Sequence, residues 1–226
     1  MINDDNTALR MKNVATNIFT NILMMFTNYN ILFIKGYSVN YYIDRYSQEI
    51  NQCHVYSPPF TMEYMCNVAN NFVGGLFMSV RQLQLYDFLV PFEHDFFARI
   101  SRAFPLLNIL NVVSLHGQKK KLTHQQNKHK QISLIIEYPH LMYLSLNCVY
   151  VDYIKQFLFE SNAYLPYRNK LSVQYQDLID AIENFTNNAE KGNCAKLKYI
   201  ILFSKPSMYP ENFHDYFPSL VNKLLF

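Results

Sequence analysis

The sequence predicts an α/β solenoid, with one short parallel strand per repeat and helices or turns on the convex side. Three observations carry this expectation. The stretch Tyr138-Pro-His-Leu141-Met-Tyr-Leu144-Ser-Leu146-Asn-Cys148-Val-Tyr150 contains Leu-x-x-Leu-x-Leu. Within it, Leu144 and Leu146 alternate with Tyr143, Ser145 and Asn147, the period of a strand with one buried face. Asp152 to Glu160 then returns to helical spacing, with Ile154, Phe157 and Leu158 at i, i+3 and i+4. A strand and helix of this size cannot bury their apolar faces alone and must stack on copies. Copies are present: Phe104-Pro-Leu-Leu107-Asn-Ile-Leu110-Asn-Val112, Val80 to Leu85, and Leu197 to Leu202. Weaker ones begin at Tyr29, Ile50, Arg168 and Leu220. The first positions fall at 29, 50, 80, 107, 141, 168, 197 and 220, near the period of roughly 20–29 residues typical of short strand-and-turn repeats.

Taken in order, residues 1–9 are polar. Val14, Ile18, Ile22 and Met25 give a helical face between Arg10 and Phe26, expected to cap the N-terminal end of the array. Leu32–Ile34 and Cys53–Val55 read as the first two strands. Ser57-Pro58-Pro59 breaks the chain, and Thr61 is a plausible N-cap for a helix over 62–73 that Gly74-Gly75 ends. Pro91 to Phe104 reads as a helix, with Phe92, Phe96, Phe97 and Ile100 on one face. Its acids Glu93 and Asp95 sit where the helix dipole favours them. Leu165-Pro166 leads the strand through Leu171 and Val173. A helix from Asp177 to Ala189 follows, with Leu178, Ile182 and Phe185 on one face and Lys191-Gly192 closing it. Glu211–Phe217 reads as a short helical turn. Leu220–Phe226 ends on an apolar strand pattern, an edge expected to pair with another chain. The expected inward pairs are Leu32/Ile34, Cys53/Val55, Leu83/Leu85, Leu110/Val112, Leu144/Leu146, Leu171/Val173 and Ile200/Leu202.

Composition sets the outer bounds. Half of the 226 residues are hydrophobic, enough for one domain spanning 1–226 with a substantial core. Five glycines are too few for a turn-rich β-sandwich. A net charge of +3 predicts no general affinity for nucleic acid. Cys53, Cys66, Cys148 and Cys194 form no Cys-x-x-Cys pair, and those beside strands read as small buried thiols. Met1-Ile-Asn-Asp-Asp5 is not a secretory signal, and no run of 18 apolar residues occurs. The expectation is an intracellular chain, cytoplasmic or nuclear, with no membrane contact.

No Gly-rich phosphate loop, Gly-x-Ser-x-Gly elbow or His-Glu-x-x-His helix is found. Glu93-His94-Asp95 cannot converge on a substrate, because consecutive helical side chains diverge by about 100°. His116, His124 and His129 have no carboxylate or thiolate nearby in sequence to complete a metal site. Catalysis, cofactor and metal are therefore not expected. The geometry instead predicts a concave face that recognises a protein partner. Its middle lane would read Phe33, His54, Gln84, Asn111, Ser145, Ser172 and Ile201. Gln82, Tyr86, Tyr143, Asn147, Lys170 and Gln174 flank it. Polar groups interleaved with tyrosine suit a specific, partly wet interface.

A resemblance adds to this reading. Met24-Met-Phe-Thr-Asn-Tyr29-Asn-Ile-Leu32, Pro91-Phe-Glu-His-Asp-Phe-Phe97, the Tyr138–Tyr150 stretch, and Asn184-Phe-Thr-Asn-Asn188 with Asn193-Cys-Ala-Lys-Leu197 carry it. With these, the chain resembles the degenerate leucine-rich-repeat arrays of F-box/leucine-rich-repeat proteins. It is most similar to F-box domain-containing families expanded in invertebrates. The resemblance covers the chain from about residue 10 and implies the substrate-recognition part of a ubiquitin-ligase receptor. In that family an N-terminal F-box docks to the ligase core. Here the first repeat opens at Tyr29, and no Leu-Pro-x-x-Ile/Leu F-box opening precedes it. The ligase core is accordingly not carried over as a partner. An inactive, truncated receptor copy is the alternative.

Gly117 to Gln131 interrupts the array with five lysines and no acid. The bland reading is a solvated, mobile loop; the sharper one is a contact to nucleic acid or phosphate. Its composition buries too little apolar area to offset ordering entropy. Deleting Gln118 to Lys130 is expected to leave the thermal midpoint nearly unchanged by calorimetry. A large drop would show that the insertion packs against the array.

Overall fold

The computed structural model describes residues 31–34, 37–45, 51–56, 59–87, 89–118, 135–166, 169–183, 192–204, 209–220 and 224–225. The helix expected over 10–26, most of the insertion, and Phe226 lie outside them. Contacts divide the chain into two units, Met1–Tyr42 with Cys53–Pro58, and Ile43–Gln52 with Pro59–Phe226.

Most of a three-stranded sheet belongs to the first unit, in the order β1 (Ile31–Ile34), β2 (Tyr37–Arg45), β3 (Asn51–Tyr56). β1 and β2 pair antiparallel, with Ile31 opposite Asn40 and Ile34 opposite Tyr37. The strands expected to open the parallel array, at Leu32–Ile34 and Cys53–Val55, lie here instead, so Phe33 and His54 do not join the predicted lane. Only the residues between Ile34 and Tyr37 connect β1 to β2. A parallel neighbour needs a crossover of roughly a dozen residues or more, so so short a link permits only the antiparallel pairing.

The second unit is α/β. Seven strands lie side by side in chain order: β4 (Tyr64–Val68), β5 (Gln82–Asp87), β6 (Ile109–Ser114), β8 (Tyr143–Cys148), β10 (Asn169–Val173), β11 (Leu197–Leu202) and β12 (Leu224–Leu225). Every pairing among them is parallel. The short strands β7 (Ile136–Glu137) and β9 (Ala163–Tyr164) pair with each other as a separate two-stranded parallel sheet. Nothing in the sequence pattern marked them.

Register explains the buried side. Leu83 stands beside Leu110, Leu110 beside Leu144, Leu144 beside Leu171, and Leu171 beside Ile200. These five, with Leu85, Val112, Leu146, Val173 and Leu202 two residues on, are buried. All ten were expected inward from their spacing.

Helices cover this apolar face: α1 (His94–Ala103), α2 (Val151–Leu158), α3 (Tyr175–Ala181), and the shorter α4 (Gly192–Lys196) and α5 (Phe213–Tyr216). α1 buries Phe96, Phe97 and Ile100, and α2 buries Ile154, Phe157 and Leu158, as their spacing predicts. Their aromatic rings meet edge to face, Phe97 against Phe157 at 5.1 Å and against Tyr153 at 6.0 Å. Such pairs add about 0.5–1.5 kcal/mol beyond their burial.

Three local expectations are corrected. The helix over 62–73 is instead β4 followed by irregular chain. The Glu63 carbonyl accepts from the Arg81 and Gln82 amides at 2.7 and 2.9 Å, tying this segment to β5. Met65 and Val68 are buried, and the register shift between them leaves Asn67 at φ 54, a conformation Asn tolerates. Pairing with a neighbour that local sequence cannot reveal outweighs the start and stop signals at Thr61 and Gly74-Gly75. Gly74 and Gly75 take φ of 106 and 139 within the irregular segment, not at a helix end. Gly192 opens α4 where it was expected to close a helix. A Cβ there would meet the flexible Glu160 side chain, which would have to move aside. At the insertion, Gln118 is buried and its Nε2 donates to the Phe92 carbonyl at 3.0 Å. The deletion proposed above therefore has to begin at Lys119.

Leu144→Ala empties the centre of the buried row and is expected to cost about 2–5 kcal/mol in urea unfolding. Ser145→Ala, one residue along on the other face, should stay within about 0.5 kcal/mol. Equal costs would mean that the two faces are not distinguished by burial.

Candidate functional site: the open face of the parallel sheet

Residues alternating with the buried row project from the other side of the sheet. There the polar lane lines up across strands. Gln84 stands beside Asn111, Asn111 beside Ser145, Ser145 beside Ser172, and Ser172 beside Ile201. A second lane runs Tyr64, Gln82, Ile109, Tyr143, Lys170, Tyr199. Tyr86 pairs with Val113 in a third. Gln82, Gln84, Tyr86, Asn111, Tyr143, Ser145, Asn147, Lys170 and Gln174, all expected here, are half-buried. Ser172, the remaining member, is fully buried and offers a partner no surface.

The Tyr64 hydroxyl donates to Gln84 Oε1 at 3.1 Å, and Asn147 Nδ2 donates to Ser145 Oγ at 2.9 Å. The Lys170 ammonium lies 5.3 Å from the centre of the Tyr143 ring, within cation–π range. Sequence reasoning missed Tyr64, because it assigned that segment to a helix. It also missed Tyr199, although the spacing that turns Ile200 inward turns Tyr199 outward, and Lys198, because β11 carries a bulge. Asn169 pairs with Leu197 but Lys170 pairs with Tyr199, leaving Lys198 as the extra residue. A one-residue bulge has no signature in hydrophobic spacing.

A second polar cluster, between helices and sheet, looks more like chemistry. The Tyr153 hydroxyl accepts from the Phe92 amide at 2.9 Å and approaches Ser114 Oγ at 3.1 Å and the His116 carbonyl at 3.0 Å. Tyr153 and Ser114 are both completely buried. No substrate reaches them, and the group is a structural bolt joining the end of β6 to the start of α1. His94 Nδ1 lies 3.1 Å from Gln156 Oε1, while Asp95 is exposed, so the Glu93-His94-Asp95 run does not converge. Among the described residues, no three His, Cys, Asp or Glu gather where a metal could bind. Nor is any helix there long and apolar enough to cross a membrane. Cys194 is buried, whereas Cys148 is exposed at the end of β8.

No family model matches the chain, and no curated protein or solved structure shows significant similarity to it.

Burial pushes the Tyr153 phenol up to about 12, against smaller opposing effects of the Ser114 and Phe92 hydrogen bonds. Burial also holds the Tyr138 phenol far above its ordinary value. A raised acid pKa stabilises the fold fully below the unfolded value near 10 and loses that contribution as pH climbs through the folded value. Stability is therefore expected to fall between about pH 10 and 12. Tyr153→Phe should shrink this loss while costing about 1–3 kcal/mol at neutral pH. Denaturation followed at several pH values checks both. An unchanged alkaline limb in the variant would remove Tyr153 from the cause.

Proposed function

We propose that the chain is a protein-binding repeat module whose open sheet face captures a partner without catalysis. The single observation that carries this reading is one-sided coverage. All-parallel sheets nearly always have both faces covered, because their crossovers put helices on each. Here helices cover one face, while the other is half-exposed and lined with amides, hydroxyls and tyrosines. Tyrosine brings large contact area with one polar tip, and amides satisfy a partner's backbone groups, so the composition suits recognition.

The chain-order parallel ladder supports reading the second unit as a solenoid of leucine-rich-repeat type. The resemblance to substrate-recognition arrays of F-box receptors fits the same role. A docked ligase core forms no part of this proposal.

The test starts with affinity purification using the full chain, followed by retesting each purified candidate. Replacing Tyr86 and Tyr143 together by Ala should abolish binding while the thermal midpoint stays close to that of the parent. Undiminished binding by the double variant would move the site elsewhere.

A further inference from the structure

The two lysines beside the open face's tyrosines point to the chemistry of the partner. Lys170 stands between Tyr143 and Tyr199 on the neighbouring strands. The bulge in β11 adds Lys198 next to them, and its ammonium lies 5.3 Å from the Tyr199 ring. Neither lysine forms an ion pair among the described residues; the pairs found there are Lys155 with Glu183 and Lys196 with Glu160. Strands lie about 4.8 Å apart, so the two stems rise from adjacent positions, Lys170 leaning over Tyr143 and Lys198 over Tyr199.

Among the described residues, none in the lanes of the open face is an acid. Asp87, the one carboxylate within the described strands of the seven-stranded sheet, is buried and turned to chain amides: Leu89 and Val90 donate to Oδ1, and Asn70 donates to Oδ2. The helices carry acids of their own, Asp95, Asp152, Asp177 and Asp215 in first turns and Asp180 further along α3. The helices thus carry both signs and the lanes of the open face only the positive one.

We infer that the open face takes an extended acidic peptide, with neighbouring carboxylates seated between Lys170 and Lys198 and its backbone laid along the amide lane. This rests on the recognition reading above. Each ammonium group lies within cation–π distance of a tyrosine ring, which helps hold it over the face. Two cations are too few to hold a nucleic-acid backbone, whose affinity grows with the number of phosphates neutralised.

The probe is a fluorescein-labelled decapeptide of glutamate, titrated against the full chain at low salt. Lys119, Lys120, Lys121, Lys128 and Lys130 are changed to Gln throughout, so that the insertion cannot contribute. Lys170→Gln with Lys198→Gln should weaken binding about five- to tenfold, as expected for two exposed charge contacts. Lys155→Gln, on the covered side, should change nothing. A serine–glycine decapeptide and a deoxythymidine decamer should bind at least tenfold more weakly than the glutamate probe. Equal binding by the double lysine variant overturns the inference, as does equal or tighter binding of the decamer. If Tyr86→Ala with Tyr143→Ala still abolishes capture of a purified partner, recognition by this face stands and only its acidic preference has failed.

Discussion

Everything in the second unit depends on one-sided burial of a row of branched side chains running across the strands. Leu83, Leu110, Leu144, Leu171 and Ile200 touch in register, each buried from solvent. Burying each is worth roughly 1.5–3 kcal/mol. Strands of six residues or fewer have too few hydrogen bonds to persist alone, and parallel pairs are slightly weaker per residue than antiparallel ones. The row makes each strand conditional on its neighbours. It also sets register, because a slip of one residue would turn every leucine to water and every amide inward.

The connections are held by buried polar groups whose partners are backbone. Asn193 is fully buried; its Nδ2 donates to the Phe157 and Ala163 carbonyls, and its Oδ1 accepts from the Leu165 amide and Lys196 Nζ. It fastens the end of α2 to β9 and to the turn before β10. Lys196 is in turn paired with Glu160 at 2.7 Å and lies 4.1 Å from the Tyr164 ring. Asp87 does the same at the end of β5 with four donors. Groups satisfied this fully offset their desolvation and hold the crossovers in one arrangement. A rigid scaffold of this kind leaves the open face free to be specialised for contact.

Much of this was legible from spacing. Alternation in Tyr143–Cys148 and its copies located six of the seven parallel strands, β12 within the Leu220–Phe226 pattern among them, and the ten inward residues of the other five, because burial on one face imposes period two. Helical spacing located α1 and α2 for the same reason. The polar lane followed from the strands, since what is not inward on a strand is outward. What failed were matters of pairing. Leu32–Ile34 has the right residues for a strand, but its direction is decided by the short link to Tyr37. Tyr64–Val68 lies between helix start and stop signals, Thr61 and Gly74-Gly75, that its hydrogen bonds to β5 override. Lys198 joins the tyrosines only through a bulge. Ser172 sits in the predicted lane, yet its small side chain is covered. The Tyr153 bolt and the Asn193 clamp join residues far apart in sequence, and single polar residues leave no periodic trace.

The central claim is that the sheet has one dry face and one face open to a partner. Thiol accessibility tests it directly. Starting from a chain with Cys53, Cys66, Cys148 and Cys194 changed to Ser, single cysteines are placed by Gln84→Cys, Asn111→Cys and Ser145→Cys, and by Leu83→Cys, Leu110→Cys and Leu144→Cys. Each folded variant is timed with a water-soluble thiol reagent. The account predicts that the first three react rapidly and that the other three react only on unfolding. Similar rates at adjacent positions, whether all fast or all slow, would contradict it.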